Sequence, residues 1–246
     1  MSVETPADVA ALRRVGSVVK ETLGVLRAAL TPGVSTGTLD TLAAEVFERH
    51  GARSAPALEY GFPGTVLISV NDEAVHGVPG ARRLQVGDLV KLDVTPELNG
   101  YVADAAITVG VPPVSPELQR LVRCGRSALR KALGATRAGA PIRRVGSVVE
   151  ASAKRRGFSV IRELGGHGTG RAIHEAPEIW NFDQPRSRER FREGMVLTVE
   201  PIIAAGSGRV YMDDDGWTVK TLDRSPVVHF EHTLIVTRGK PLILTA

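Results

Sequence analysis

Residues 87–96, GDLVKLDVTP, and residues 194–203, GMVLTVEPII, read as one strand written twice. Each starts on a glycine, runs through apolar residues and delivers a carboxylate near its end. Gly87 and Gly194, like Asp93 and Glu200, stand 107 positions apart. The helical stretches upstream repeat too. Residues 30–51, LTPGVSTGTLDTLAAEVFERHG, align with residues 136–157, TRAGAPIRRVGSVVEASAKRRG, matching Gly33 with Gly139 and Gly51 with Gly157 at an offset of 106. A nearly constant offset across both helix and strand indicates an internal duplication.

Each copy predicts two helices and then a sheet. In the first, Val9, Leu12, Val15, Val19, Leu23, Leu26 and Leu30 recur at steps of three and four, a helix that stops near LTPG. A second helix follows in TGTLDTLAAEVFERHG, with Thr36 or Thr38 as its cap and Gly51 as its stop. The runs TVLISV, DLVKLDVT and YVADAAITVGV are strand-like. In the second copy PELQRLVRCGRSALRKAL and IRRVGSVVEASAKRRG are helical, and FSVIREL, MVLTVEP and FEHTLIVT extended. The join falls in GVPPVSPE, residues 110–117. The expectation is an α+β fold: one domain over 1–246, with halves at about 8–110 and 117–246, whose helices pack on a central, mainly antiparallel sheet with pseudo-twofold symmetry.

Composition narrows the classes. With 43% hydrophobic and 24% charged residues among 246, the chain can bury a sizeable core and is not disordered. No apolar run is long enough for a membrane helix, and the N-terminal segment, with Glu4 and Asp8, is no secretory signal. Cys124 is the single cysteine, so no intramolecular disulfide forms and a cytoplasmic location is expected. Arginines cluster in KRRGF and RSRERFR, but with 4% aromatic residues the expectation is a solvated basic surface and no nucleic-acid site.

Carboxylates stand where strands usually avoid them. Asp93, Asp104, Glu200 and Glu231 all lie in apolar, strand-like surroundings, and the duplication pairs Asp93 with Glu200 and Asp104 with Glu231. Four acids brought together would repel one another unless divalent cations neutralised them. Asp93 and Asp104 flank PELNG, a turn that suits a hairpin presenting both to one point. Four carboxylates and one imidazole are a common ligand set for two metal ions, and GGHGTG offers His167 in a glycine-rich loop. HEAPE fails the H-E-x-x-H zinc motif, and no phosphate-binding glycine motif is present. In HFEH, strand alternation puts His229 on the face of Glu231 and His232 opposite; both are read as structural or supporting residues.

The blocks SVNDEAVHGVP, KLDVTPELNGYVADAAITVG, GGHGTGRAIHEAP, GMVLTVEP and DGWTVKTLDRSPVVHFEHTLIVT, in that order, closely resemble the type I methionine aminopeptidases, members of the pita-bread metallopeptidase fold of family M24. The resemblance implies that Asp93, Asp104, His167, Glu200 and Glu231 bind two divalent ions (Co²⁺, Mn²⁺, Fe²⁺ or Zn²⁺), with Asp104 bridging them and Glu231 touching both. It implies that His76 and His174 face the substrate; from the chemistry of the hydrolysis, Glu200 is the candidate for shuttling the proton to the leaving amine. The activity implied is two-metal hydrolysis that removes the N-terminal methionine of nascent chains when the second residue is small. A monomer is implied, with transient ribosome contact and no membrane partner.

The resemblance also implies that Tyr60, Phe62, Leu67 and Trp217 form the methionine pocket. Here the chain departs from the family: LEYGFP reads one residue short, Leu67 replaces a cysteine or small residue, and Ile173 replaces the phenylalanine usual before the histidine. Two rivals are a proline-directed peptidase of the same fold, disfavoured because the first helix begins within about ten residues of the start, and a non-catalytic binding module, disfavoured because every ligand position is filled.

Overall fold

The computed structural model describes all residues, 1–246. Helix α1 (Pro6–Ala29) begins on a capping box: Thr5 accepts from the Asp8 N–H while the Asp8 carboxylate accepts from the Thr5 N–H. Its stripe of Leu12, Val15, Val19 and Leu26 is completely buried, as the spacing predicts. Helix α2 (Thr36–His50) is capped by Ser35, whose hydroxyl accepts from the Thr38 N–H at 3.0 Å. The expected caps, Thr36 and Thr38, fall inside the helix, because Thr36 turns its hydroxyl to Gly80 instead. A short helix α3 (Ala55–Tyr60) follows the two-residue strand Arg53–Ser54, and α4 (Pro116–Ala135) and α5 (Arg143–Lys154) open the second half.

Every strand pairing is antiparallel, but the sheet is cut into five small pieces. In the first half Leu89–Val94 lies between Leu67–Val70 and Ala105–Gly110. In the second, the order is Glu175–Trp180, Gly165–Gly168, Val196–Val199, His232–Ile235 and Leu242–Ile243. The expected strand YVADAAITVGV breaks at Ala103–Asp104. There the Asp104 N–H donates to Thr233 Oγ1 at 2.8 Å and the Thr233 hydroxyl donates back to the Asp104 carbonyl at 2.7 Å. A side chain from the other half thus satisfies backbone groups that a ladder would otherwise take. A second stitch joins the halves where the Glu231 N–H donates to the Ala106 carbonyl at 2.9 Å.

Two apolar cores match the two halves. One packs α1 and α2 on Ile68, Val90, Leu92 and Val94; the other packs α4 and α5 on Leu197, Val199, Ile203 and Leu234. The aligned glycines share a backbone conformation. Gly33 and Gly139 have φ of 89° and 81°, Gly51 and Gly157 65° and 77°, and Gly87 and Gly194 91° and 85°. These are left-handed turns that glycine alone adopts without strain, which is why the glycines anchor the alignment.

Candidate metal centre

The hairpin predicted between Asp93 and Asp104 forms around Asn99 and Gly100, whose φ of 52° and 77° suit a tight two-residue turn. Cross-strand pairing sets Leu67 opposite Asp93, so both side chains emerge on one face. From the second half, His167 comes not from a loop but from the strand Gly165–Gly168. Its glycines serve close packing: a Cβ on Gly166 would meet the Thr198 carbonyl oxygen at 2.5 Å, and one on Gly168 the Ala176 oxygen at 2.2 Å. Glu200 follows Val196–Val199, and Glu231 lies between Val227–His229 and His232–Ile235.

These residues converge. The ligand atoms of Asp104, His167 and Glu231 lie within 4.8 Å of one another, as do those of Asp93, His229 and Glu231. Glu231 is common to both groups, whereas Asp104, the other expected bridge, falls in one. Glu200 Oε1 is 3.5 Å from His167 Nε2 and accepts from the Thr198 hydroxyl at 3.2 Å. His167 Nδ1 lies 3.0 Å from the Gly168 carbonyl. A carbonyl only accepts, so Nδ1 carries the proton and the Nε2 lone pair is left for a cation. Asp104 Oδ1 accepts from the Thr95 hydroxyl at 2.9 Å.

His229 sits deeper in the cluster than the sequence reading placed it. Its Nε2 is 3.3 Å from Glu200 and 3.5 Å from Glu231, and its Nδ1 is 4.0 Å from Asp93. The signal was present in the alternation of HFEH, which put His229 on the Glu231 face. His232 points the other way, to Thr245 Oγ1 at 2.9 Å.

A divalent cation fits this donor set. Asp93 Oδ1, Glu231 Oε1 and both His229 ring nitrogens are buried without a hydrogen-bond partner, a costly state for a protein interior. Burial, and then the charge of Asp104, push the carboxyls of Asp93 and Glu231 well above their ordinary range. Burial raises Glu200 to about 8. Oxygen and imidazole donors of this kind bind divalent transition ions.

Above the cluster opens a cleft of about 1000 Å³. Phe62 packs edge-on against Trp217 at 5.3 Å between ring centroids, and with Leu67 they line one wall. His76 reaches the cleft from a left-handed backbone, φ 61°, and burial followed by the charge of His229 lowers it to about 4. The His174 ring lies 4.3 Å from that of His167, tilted by 59°, and lines the cleft; partial burial, then His167 and His76, lower it to about 4. Both are therefore neutral at pH 7. Tyr60, half exposed, also lines the cleft, its hydroxyl 2.8 Å from His174 Nδ1.

Helices packed on antiparallel sheets around a buried carboxylate–imidazole cluster define a metalloenzyme of the pita-bread class. The chain belongs to metallopeptidase family M24, whose pattern matches residues 10–238. It is 38% identical over 247 residues to methionine aminopeptidase 2 of Bacillus subtilis (strain 168), covering 100% of this chain and 99% of that one. The crystal structure of methionine aminopeptidase from Thermotoga maritima is similar at a TM-score of 0.96 and 34% identity, over 100% of this chain and 99% of that one. The prolidase from Pyrococcus horikoshii OT3, at 18% identity and a TM-score of 0.79 over 99% of this chain and 63% of its own, shares the fold. No helix is long and apolar enough to cross a membrane.

Proposed function

We propose that this protein is a methionine aminopeptidase, removing the N-terminal methionine from nascent peptides whose second residue is small. The observation that carries this reading is the convergence of four carboxylates and His167 under an apolar cleft, in a chain similar over its full length to methionine aminopeptidases. Asp93, Asp104, His167, Glu200 and Glu231 would hold two divalent ions, with Glu231 shared. When bound, the ions neutralise the acids and polarise both the carbonyl and the water that attacks it.

The chain's own residues do the rest. Phe62, Leu67 and Trp217 enclose the methionine side chain, and His76 orients the peptide. His174 donates to the carbonyl oxygen as it gains charge, an interaction worth on the order of 3 kcal/mol in comparable sites. Glu200 takes the proton from water and returns it to the leaving amine. Residues 1–246 act as one catalytic domain, read as a cytoplasmic monomer with transient ribosome contact.

The test is hydrolysis of Met-Ala-Ser, Ala-Ala-Ser and Ala-Pro-Ser with Co²⁺ or Mn²⁺ added. Preferential release of methionine from Met-Ala-Ser is expected. Preference for Ala-Pro-Ser would favour a proline-directed peptidase, and no turnover with metal bound would remove the enzyme reading altogether.

A further inference from the structure

Helix α3 ends in two consecutive residues that both reach across the cleft mouth to the segment carrying His174. Glu59 accepts the Ile173 N–H with Oε1 at 2.9 Å and Oε2 at 3.2 Å. Tyr60 places its hydroxyl 2.8 Å from His174 Nδ1. The helix that presents them is short but anchored. Ser54 caps it through the Ala57 N–H, Gly61 turns it off with φ 75°, and the Ala55 N–H donates to the Thr95 carbonyl at 3.0 Å, beside the metal-cluster strand.

The His174 segment is also held from its other side. Glu175 Oε1 accepts from the N–H groups of Arg171 and Ala172 at 2.8 and 3.1 Å, and the Thr169 hydroxyl donates to the Ala172 carbonyl at 3.0 Å. With the backbone gripped on both flanks, the freedom left to His174 is rotation of its ring. A neutral imidazole has one donor and one acceptor nitrogen, and a phenol is protonated at neutral pH. A hydroxyl donating to Nδ1 therefore selects the ring with the proton on Nε2.

We propose that Glu59 and Tyr60 are positioning residues: Glu59 fixes the 173–174 backbone, and the Tyr60 hydroxyl donates to His174 Nδ1, so that Nε2–H is the group presented to the substrate carbonyl. This rests on the aminopeptidase reading of His174, and it gives Tyr60, which lines the cleft and which the resemblance placed in the methionine pocket, control of the oxyanion donor. The logic is that of a side chain oriented by a partner on its far nitrogen. A donor set in place before reaction needs no reorganisation as charge develops.

In the Mn²⁺-loaded enzyme acting on Met-Ala-Ser, Tyr60→Phe should lower kcat about tenfold with KM and metal content unchanged, a fraction of the roughly hundredfold expected for losing the donor itself. In a His174→Ala background Tyr60→Phe should cost nothing further. Glu59→Leu should lower kcat similarly, and Glu59→Gln, which keeps an oxygen acceptor, should recover most of it. ¹⁵N NMR of the metal-free protein should show His174 protonated on Nε2, with the Nδ1 resonance moving in Tyr60→Phe. A normal kcat in Tyr60→Phe, a raised KM alone, a loss that adds to that of His174→Ala, or a proton on Nδ1 would each overturn the proposal. If the wild-type protein hydrolysed no peptide, the aminopeptidase reading would fall, while the NMR result would still decide the tautomer.

Discussion

In the first half, residues 6–51 spanning α1 and α2 carry five basic and five acidic residues; in the second, residues 116–157 spanning α4 and α5 carry eleven basic and two acidic. Yet both helix pairs pack on their sheets through buried aliphatic stripes and end in paired left-handed glycines. The two helix pairs thus share what the fold needs, core and turns, while their solvent faces differ in charge. The division of chemistry follows the same line. One half brings Asp93 and Asp104 to the clusters, and the other His167, His229 and Glu231, so each candidate ligand group draws on both halves.

The sharpest way to break this comparison is to remove a candidate ligand of the first half. Asp104→Asn should lower activity on Met-Ala-Ser by about a thousandfold or more and reduce bound metal, measured by elemental analysis; a fully loaded, active variant would mean the second half suffices. Next in size, His174→Ala should lower kcat by about a hundredfold at normal metal content. An emptied site would show instead that His174 belongs with the ligands.

Removing the metal tests whether the two halves repel without it. Asp93 and Glu231 are raised well above their ordinary values and Glu200 to about 8. Groups whose folded pKa is raised contribute stability that is present below the unfolded pKa, about 4, and lost as pH climbs through the folded value. The chelated protein should therefore lose Tm between pH 5 and pH 8.5, by at least about 4 °C. Added divalent metal should restore more at pH 8.5 than at pH 5. Equal restoration at both would contradict a cluster that is protonated at pH 5 and repels once it ionises.

Smaller effects probe the shared skeleton and the divergent surface. Gly51→Ala and Gly157→Ala should each cost about 1–2 kcal/mol in urea denaturation, because both positions are left-handed. A large difference between them would show that the copies no longer depend on the turn equally. Lys131, whose pKa is lowered by burial and then by Arg155, Arg156 and Arg130, stands in the basic face of α4–α5. Lys131→Gln should change stability by less than about 0.5 kcal/mol, with any gain shrinking as salt screens the repulsion.

The amino-acid sequence by itself determined the order of the four long helices, the repeated turn glycines and the four acids, but not the short helix α3 or the strand Glu175–Trp180. Apolar period, turn glycines and misplaced charges are local signals, written residue by residue. Asp104 illustrates the limit. Its strand read as continuous, but Thr233, 129 positions away, takes its backbone hydrogen bonds and breaks the ladder there. The glycines around His167 looked like loop freedom and are clearances between strands. His229 Nδ1 comes within 4.0 Å of Asp93, and the Tyr60 hydroxyl within 2.8 Å of His174, because each depends on which side chain from the other half arrives opposite. Such contacts are set by packing across the pseudo-twofold axis. No periodicity within one stretch of chain encodes them.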